Sequence, residues 1–192
     1  MRSSTSKPEY AGKTRDEIKE MWRKKGETAS ILGTALHESI ELYYNDAPPA
    51  VDATLKEWKM FERFQEKYRL KPYRTEAFLW SKEHRLAGSI DFLAENDDGT
   101  LSIVDWKRSC HELSPDAPNW GRFGAAPLEC VPDTHFHKYS LQLHCYKFLL
   151  EKYYGKSVKT CLLVQLHPDF DDYRVVECHD YGDIVSQLMV RR

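Results

Sequence analysis

Two aspartates and a lysine in the middle of the chain stand at spacings that suit hydrolytic chemistry. Asp91 lies in GSIDF and Asp105 in IVDWK, both inside apolar runs where an unpaired charge is costly. The Asp98-Gly99 pair between them is a hairpin signal, and with the turn centred near Asp98, residues whose numbers sum to about 196 face each other. Asp91 and Asp105 meet that condition. Side chains so paired have Cβ atoms roughly 4.5 to 5.5 Å apart, and two carboxylates at that distance repel unless a positive charge sits between them. A divalent cation is the simplest such charge, and oxygen ligands favour Mg2+ or Mn2+. Lys107 follows Asp105 by two residues, so the period of a strand puts both on one face. There an ammonium group can orient a water, lower its pKa or neutralise charge developing on a phosphoryl group. Two acids and a lysine are the parts of metal-assisted phosphodiester hydrolysis. The plainer reading of the same residues is a salt-bridged triad on an exposed sheet face, since D-x-K is a common tripeptide.

The elements that must position these residues follow from the hydrophobic period. Thr14 and Glu17 have the spacing of a capping box, which predicts a helix to about Lys25 ended by Gly26. A second helix is expected from about Glu27 to Tyr44, with Leu32, Leu36 and Ile40 as its apolar stripe, and a third from about Asp52 to Tyr68. Strands are expected at about 73–80, 85–94 and 101–106, then a helix over 138–154, strands at about 160–166 and 173–177, and a short helix from about Asp183. This order predicts an α/β fold with an αβββαβ core: a mixed central sheet flanked by helices, with additional N-terminal helices, in one domain spanning 1–192. Residues 1–11 are read as a flexible arm. Residues 108–137 have no clear period and read as a long loop acting as a lid or strand guide.

Four short motifs accompany the acids: GxxxH at Gly33 to His37, GxxD at Gly88 to Asp91, DxK at Asp105 to Lys107, and QxxxY at Gln142 to Tyr146. In this order, each on the expected kind of element, they resemble the PD-(D/E)XK nucleases with their restriction-endonuclease-like fold, and within them the RecB-type exonuclease branch. Longer stretches such as YSLQLHCYKFLLEKYYG look like nuclease domains of large DNA viruses and phages. The resemblance implies that His37 is a metal ligand from a helix over the sheet, with Gly33 allowing close helix approach. It also implies a metal site of His37, Asp91, Asp105 and the backbone carbonyl of Trp106. Gln142 and Tyr146, four apart and so on one helix face, would position lysine and substrate. Without the family, His37 reads as a hydrogen-bonded core histidine, Tyr146 as packing and Gln142 as surface. Glu76, on the first strand, is either a further acid of the site or a strand-edge charge paired with Lys82 or Arg85. The activity implied is metal-dependent hydrolysis of DNA, by an exonuclease acting on single strands or free ends, with a helicase or polymerase as a candidate partner. A viral-type RNA endonuclease and a catalytically silent nucleic-acid-binding module are the alternatives, so RNA stays open as a substrate.

A net charge of -2 supplies no global attraction to nucleic acid, so a strand must be held locally. Lys13, Arg15, Arg108, Trp120 and Arg122 are the candidates for that role, with Phe123 beside them; the competing readings are a solvated helix face and loop anchoring. Gly12 to Thr14 form no phosphate loop, because Lys7 stands where a glycine is required. The five cysteines lack CxxC spacing and a close triplet, which argues against a disulfide scaffold and an iron-sulfur cluster. Cys110, His111, Cys130, His135 and His137 match no common zinc module. Without a run of eighteen apolar residues or an apolar leader, the expectation is a soluble protein of a reducing intracellular compartment, with no membrane partner and with a viral or phage protein in a host cell as one case.

Overall fold

The computed structural model describes residues 8–190. A 3-10 turn at Pro8–Tyr10 leads into α1 (Arg15–Tyr44) and α2 (Lys56–Tyr68). Strands β1 (Lys71–Ser81), β2 (Leu86–Glu95) and β3 (Leu101–Lys107) follow, then α3 (His135–Tyr153), β4 (Val158–Gln165), β5 (Arg174–Glu177) and α4 (Gly182–Val190). The five strands form one mixed sheet in the order β1-β2-β3-β4-β5, and the expected αβββαβ order is the order observed. Neighbours are antiparallel except β3 and β4, whose parallel pairing is bridged by α3.

Thr14 caps α1 as its sequence predicts. Its backbone N–H donates to Glu17 Oε2 at 2.6 Å, and the Glu17 N–H donates to Thr14 Oγ1 at 3.3 Å. Gly26, however, does not end the helix; α1 continues as a single helix through it. Glycine in a helix interior costs only about 1 kcal/mol relative to alanine, and the Arg23–Glu27 ion pair spans the position. α2 starts later than expected because Asp52 Oδ1 accepts from the Thr54 N–H at 2.8 Å, a local turn that competes with helix. α3 starts earlier, at His135, because the Thr134 hydroxyl caps the His137 N–H at 3.3 Å. Of the expected flexible arm, residues 1–7 lie outside the described residues. Its remainder turns back on α1, where Trp22 Nε1 donates to Tyr10 Oη at 2.9 Å.

The sheet carries a core on each face. Toward α3, Ile90, Leu93, Ile103 and Leu163 meet Phe136, Leu143 and Leu149. Toward α1 and α2, Phe92, Val104, Trp106 and Val164 meet Leu36, Ile40, Phe61 and Phe64. The long connection from β3 to α3 is tied down at its base by one buried side chain. Gln165 Nε2 donates to the Ser109 and His111 carbonyls at 2.7 Å each, and its Oε1 accepts from the Leu113 N–H at 3.2 Å. The tip of the same connection holds Trp120, 82% exposed with φ +52°. Among the described residues, no helix is long and apolar enough to cross a membrane.

Candidate active site

Leu93 pairs with Ile103 and Phe92 with Val104, the register that the turn at Asp98-Gly99 demands. Beyond Phe92 and Val104 the ladder ends, while β2 goes on pairing with β1 as far as Leu86. Asp91 and Asp105 therefore stand where β2 and β3 part. Asp91 closes the split itself: its Oδ2 accepts the Trp106 N–H at 3.0 Å. Regular alternation also breaks here, because Ile90 joins the core under α3 whereas Phe92, two residues on, joins the core under α1 and α2. Across from Asp91 on β1, between the pairs Thr75–Phe92 and Ala77–Ile90, Glu76 has φ +44°. A non-glycine residue in the left-handed region is held there only by its surroundings, and such strain gathers at functional sites.

This irregularity brings Glu76 to the site. His37, Glu76 and Asp91 each offer a ligand atom, all within 4.8 Å of one another. His37 Nδ1 lies 3.4 Å from Asp91 Oδ2, and Ser89 Oγ donates to Glu76 Oε2 at 2.9 Å. Asp105, buried beside them, has the Lys107 ammonium 2.5 Å from its Oδ2. Lys107 Nζ also lies 4.4 Å from the centre of the Tyr139 ring on α3, a cation–π contact. The described residues thus resolve the site into a triad of His37, Glu76 and Asp91 next to an Asp105–Lys107 pair.

The electrostatics follow from crowding three carboxylates in a half-buried place. Burial, then the neighbouring Asp105 carboxylate, pushes the Asp91 carboxyl up to about 8, against the pull of Lys107 and the Trp106 amide. Burial and then Lys107 lower His37, which favours the neutral imidazole that can ligate a cation. Burial works to lower Lys107, but the charge and hydrogen bonding of Asp105 outweigh it and the net shift is upward. Lys107 stays an ammonium. A cation fits this set: three ligand atoms converge, and added positive charge would draw the raised Asp91 carboxyl back toward its ionised form.

The motif glycines have different roles from those their spacing suggests. A Cβ on Gly88 would lie 2.4 Å from Tyr146 Cε1 and 2.6 Å from its Oη, so the GxxD glycine exists to admit the QxxxY tyrosine. Gln142 Nε2 donates to Tyr146 Oη at 2.9 Å. The pair thus buttresses β2 three residues before Asp91, while the residue against Lys107 is Tyr139. Sequence reasoning missed Tyr139, although Tyr139, Gln142 and Tyr146 form one helical stripe. At Gly33 a Cβ would meet nothing within 4 Å, so this glycine serves no close helix approach; it leaves open the wall of a cavity of about 680 Å³ shared with His37, Glu76 and Asp91.

Candidates for holding a strand are dispersed. Arg108 Nε donates to Glu57 Oε1 at 2.8 Å, with Glu57 buried and the Arg108 side chain only 10% exposed, so this arginine is held in an internal ion pair and is not a surface cation. Arg15 is exposed at the far end of α1, roughly 33 Å along the axis from His37, and the exposed Lys13 precedes that helix. Trp120 is exposed at the loop tip with Arg122, which is 3.9 Å from Asp133. His111 and His135 stack on each other and His137 bonds Tyr181, so the loop residues that could be drawn as a zinc site are not gathered into one.

The chain matches no family model and no curated protein. Among solved structures it is similar to a candidate exonuclease from Eubacterium rectale, with 13% identity and a TM-score of 0.48 over 84% of this chain and 63% of that one. It is also similar to the protein SSO0001, with 16% identity and a TM-score of 0.33 over 69% of this chain and 53% of that one. The chain spans less than two thirds of either structure.

Proposed function

We propose that this chain is a metal-dependent nuclease of the PD-(D/E)XK type, RecB-like in its motifs, that hydrolyses phosphodiester bonds of DNA at single strands or free ends. The observation that carries the reading is the convergence of His37, Glu76 and Asp91 within 4.8 Å beside the buried Asp105–Lys107 pair, at the point where β2 and β3 part. His37, Glu76 and Asp91 would hold Mg2+ or Mn2+, with Asp105 and the Trp106 carbonyl adjoining. When bound, the cation would supply Lewis-acid polarisation of a phosphoryl oxygen and a bound water of lowered pKa.

The chain's own groups do the rest. Lys107, kept charged by Asp105, presents N–H donors to the attacking water or to a non-bridging oxygen as charge develops there. Asp105 fixes the ammonium on one side and the Tyr139 ring on another, so little reorganisation is left for the reaction. His37 remains neutral and so adds no positive charge to repel the cation. Gln142 and Tyr146 hold β2, and with it Asp91, through the contact at Gly88. The preference for DNA over RNA rests on the motif resemblance, and delivery of the strand by a helicase or polymerase belongs to the same reading.

The test is cleavage of end-labelled linear and circular DNA, single- and double-stranded, with RNA alongside, in Mn2+, Mg2+ and EDTA. Wild type should cut DNA only with metal, and Lys107→Ala should lose about a hundredfold or more in rate. Metal-independent cutting, or full activity in Lys107→Ala, would refute the assignment of the site; cutting of RNA alone would make this an RNA enzyme.

A further inference from the structure

Beyond the acids, β1 leaves two large rings without cover. Ala77, Leu79 and Ser81 point into the protein, and by alternation Phe78 and Trp80 share the outer face, 78% and 64% exposed. Burying either ring would be favourable by the hydrophobic effect, so two adjacent bare rings mark a surface meant to be covered. Phe78 lines the same cavity as His37, Glu76 and Asp91. Trp80 opens onto the next cavity, of about 420 Å³, with Lys82 and Tyr154. The strip therefore begins at the acids and leads away from them along the sheet edge.

We propose that Phe78 and Trp80 form a stacking strip for the unpaired bases of a nucleic-acid strand, laying that strand against the acid pocket. The spacing selects the occupant. Two residues of strand separate the rings by roughly 6.8 Å, twice the rise of about 3.4 Å between stacked bases, so bases that meet one ring each have left their own stack. A paired duplex cannot present such faces, and aromatic side chains hold single strands in this way without reading sequence. Charge fits this orientation: Glu38 and Glu41 line the acid end, which suits base faces better than phosphates, while at the far end the exposed Lys82 and Arg85 accompany Glu83, which is engaged by Lys152 and Tyr153. Backbone pairing with a protein strand is disfavoured at this edge, because Tyr154 Oη already accepts the Trp80 N–H at 3.0 Å and donates to the Trp80 carbonyl at 3.3 Å.

The inference rests on the nuclease reading only for what lies at the end of the strip, so binding is measured apart from cleavage. A fluorescein-labelled oligothymidine and a strand of equal length built from abasic sites are titrated in EDTA and followed by anisotropy. Wild type should prefer the base-bearing strand by about fivefold or more for each ring. The Phe78→Ala/Trp80→Ala variant should bind both strands alike, and Phe78→Tyr/Trp80→Phe should keep the preference. Equal binding of both strands by wild type, or an undiminished preference in the alanine variant, overturns the proposal. So does a wild-type dimer that the alanine variant dissolves, which would make the strip an interface between copies. Base preference in EDTA without cleavage in Mn2+ or Mg2+ keeps the strip and removes the nuclease; cleavage without base preference does the reverse.

Discussion

Replacing Gly88 by alanine adds one methyl group at a point where the structure has no room for it. The new Cβ would lie 2.4 Å from Tyr146 Cε1, about 1 Å short of the ordinary contact that begins at 3.4 Å. Neither partner can yield cheaply: Tyr146 is buried in the core under α3 with its hydroxyl held by Gln142, and Gly88 is paired with Leu79 in the ladder. Overpacking of this kind costs about 1–3 kcal/mol, and for a chain of this size each kcal/mol lowers Tm by roughly 2–4 °C. If β2 moves instead, Asp91 moves with it, and a displacement of about 1 Å at a reacting centre can cost about a hundredfold in rate. Gly88→Ala should therefore melt several degrees below wild type and lose cleavage together with metal affinity. In the double variant Gly88→Ala/Tyr146→Ala the clash is gone, so the two changes should couple favourably in denaturant unfolding. A Gly88→Ala protein with wild-type Tm, or strictly additive costs in the double variant, would refute the assignment of this glycine to the tyrosine.

Gly26→Ala should stabilise the protein by about 0.5–1 kcal/mol in urea unfolding, because the glycine is inside a continuous helix with open space around it; a loss of stability would mean that α1 breaks there. Asp91 has a folded pKa of about 8 against an ordinary value of 3.8, so between those values the folded state binds a proton that the unfolded state lacks. Without metal, its contribution to stability should be complete below about pH 4 and fall as pH rises toward 8, by up to about 1.4 kcal/mol per pH unit. Melting curves across pH should show Mn2+ raising Tm more at pH 8 than at pH 5, and Asp91→Asn should flatten the metal-free slope; an unchanged slope would assign the effect elsewhere. Glu57→Ala strands Arg108 in the interior and should cost about 3–5 kcal/mol in equilibrium unfolding, whereas a cost below about 1 kcal/mol would show that the pair is solvated.

What could be read in the chain was what short-range periodicity writes there. The turn at Asp98-Gly99 sets the register that brings Asp91 and Asp105 to the split, and a two-residue period puts Lys107 beside Asp105. The capping box at Thr14 is equally local. What stayed open or escaped depends on contacts between distant parts of the chain. Glu76, which the residues leave open between a site acid and a strand-edge charge, enters the site through a left-handed backbone turn inside a strand, a conformation no residue pattern announces. Arg108 reads as a surface cation until the fold brings Glu57 to it, and Tyr139 gains its meaning only when α3 lies across Lys107. Gln142 and Tyr146 keep the face their spacing predicts, but the partner of that face, Gly88, is set by the packing of α3 on β2.

The single parallel pair in the sheet has a kinetic consequence. β1, β2 and β3 are successive antiparallel strands, so Glu76, Asp91 and Asp105 meet through short loops with little closure entropy. β3 and β4 can pair only after the long loop and α3 have crossed the sheet, a contact distant in sequence and slow to form. The three acids should thus be gathered early in folding, before α3 arrives to place Tyr139 against Lys107. Their mutual repulsion would then oppose the nascent meander, and a cation that relieved it would act on the rate of folding as well as on the finished site.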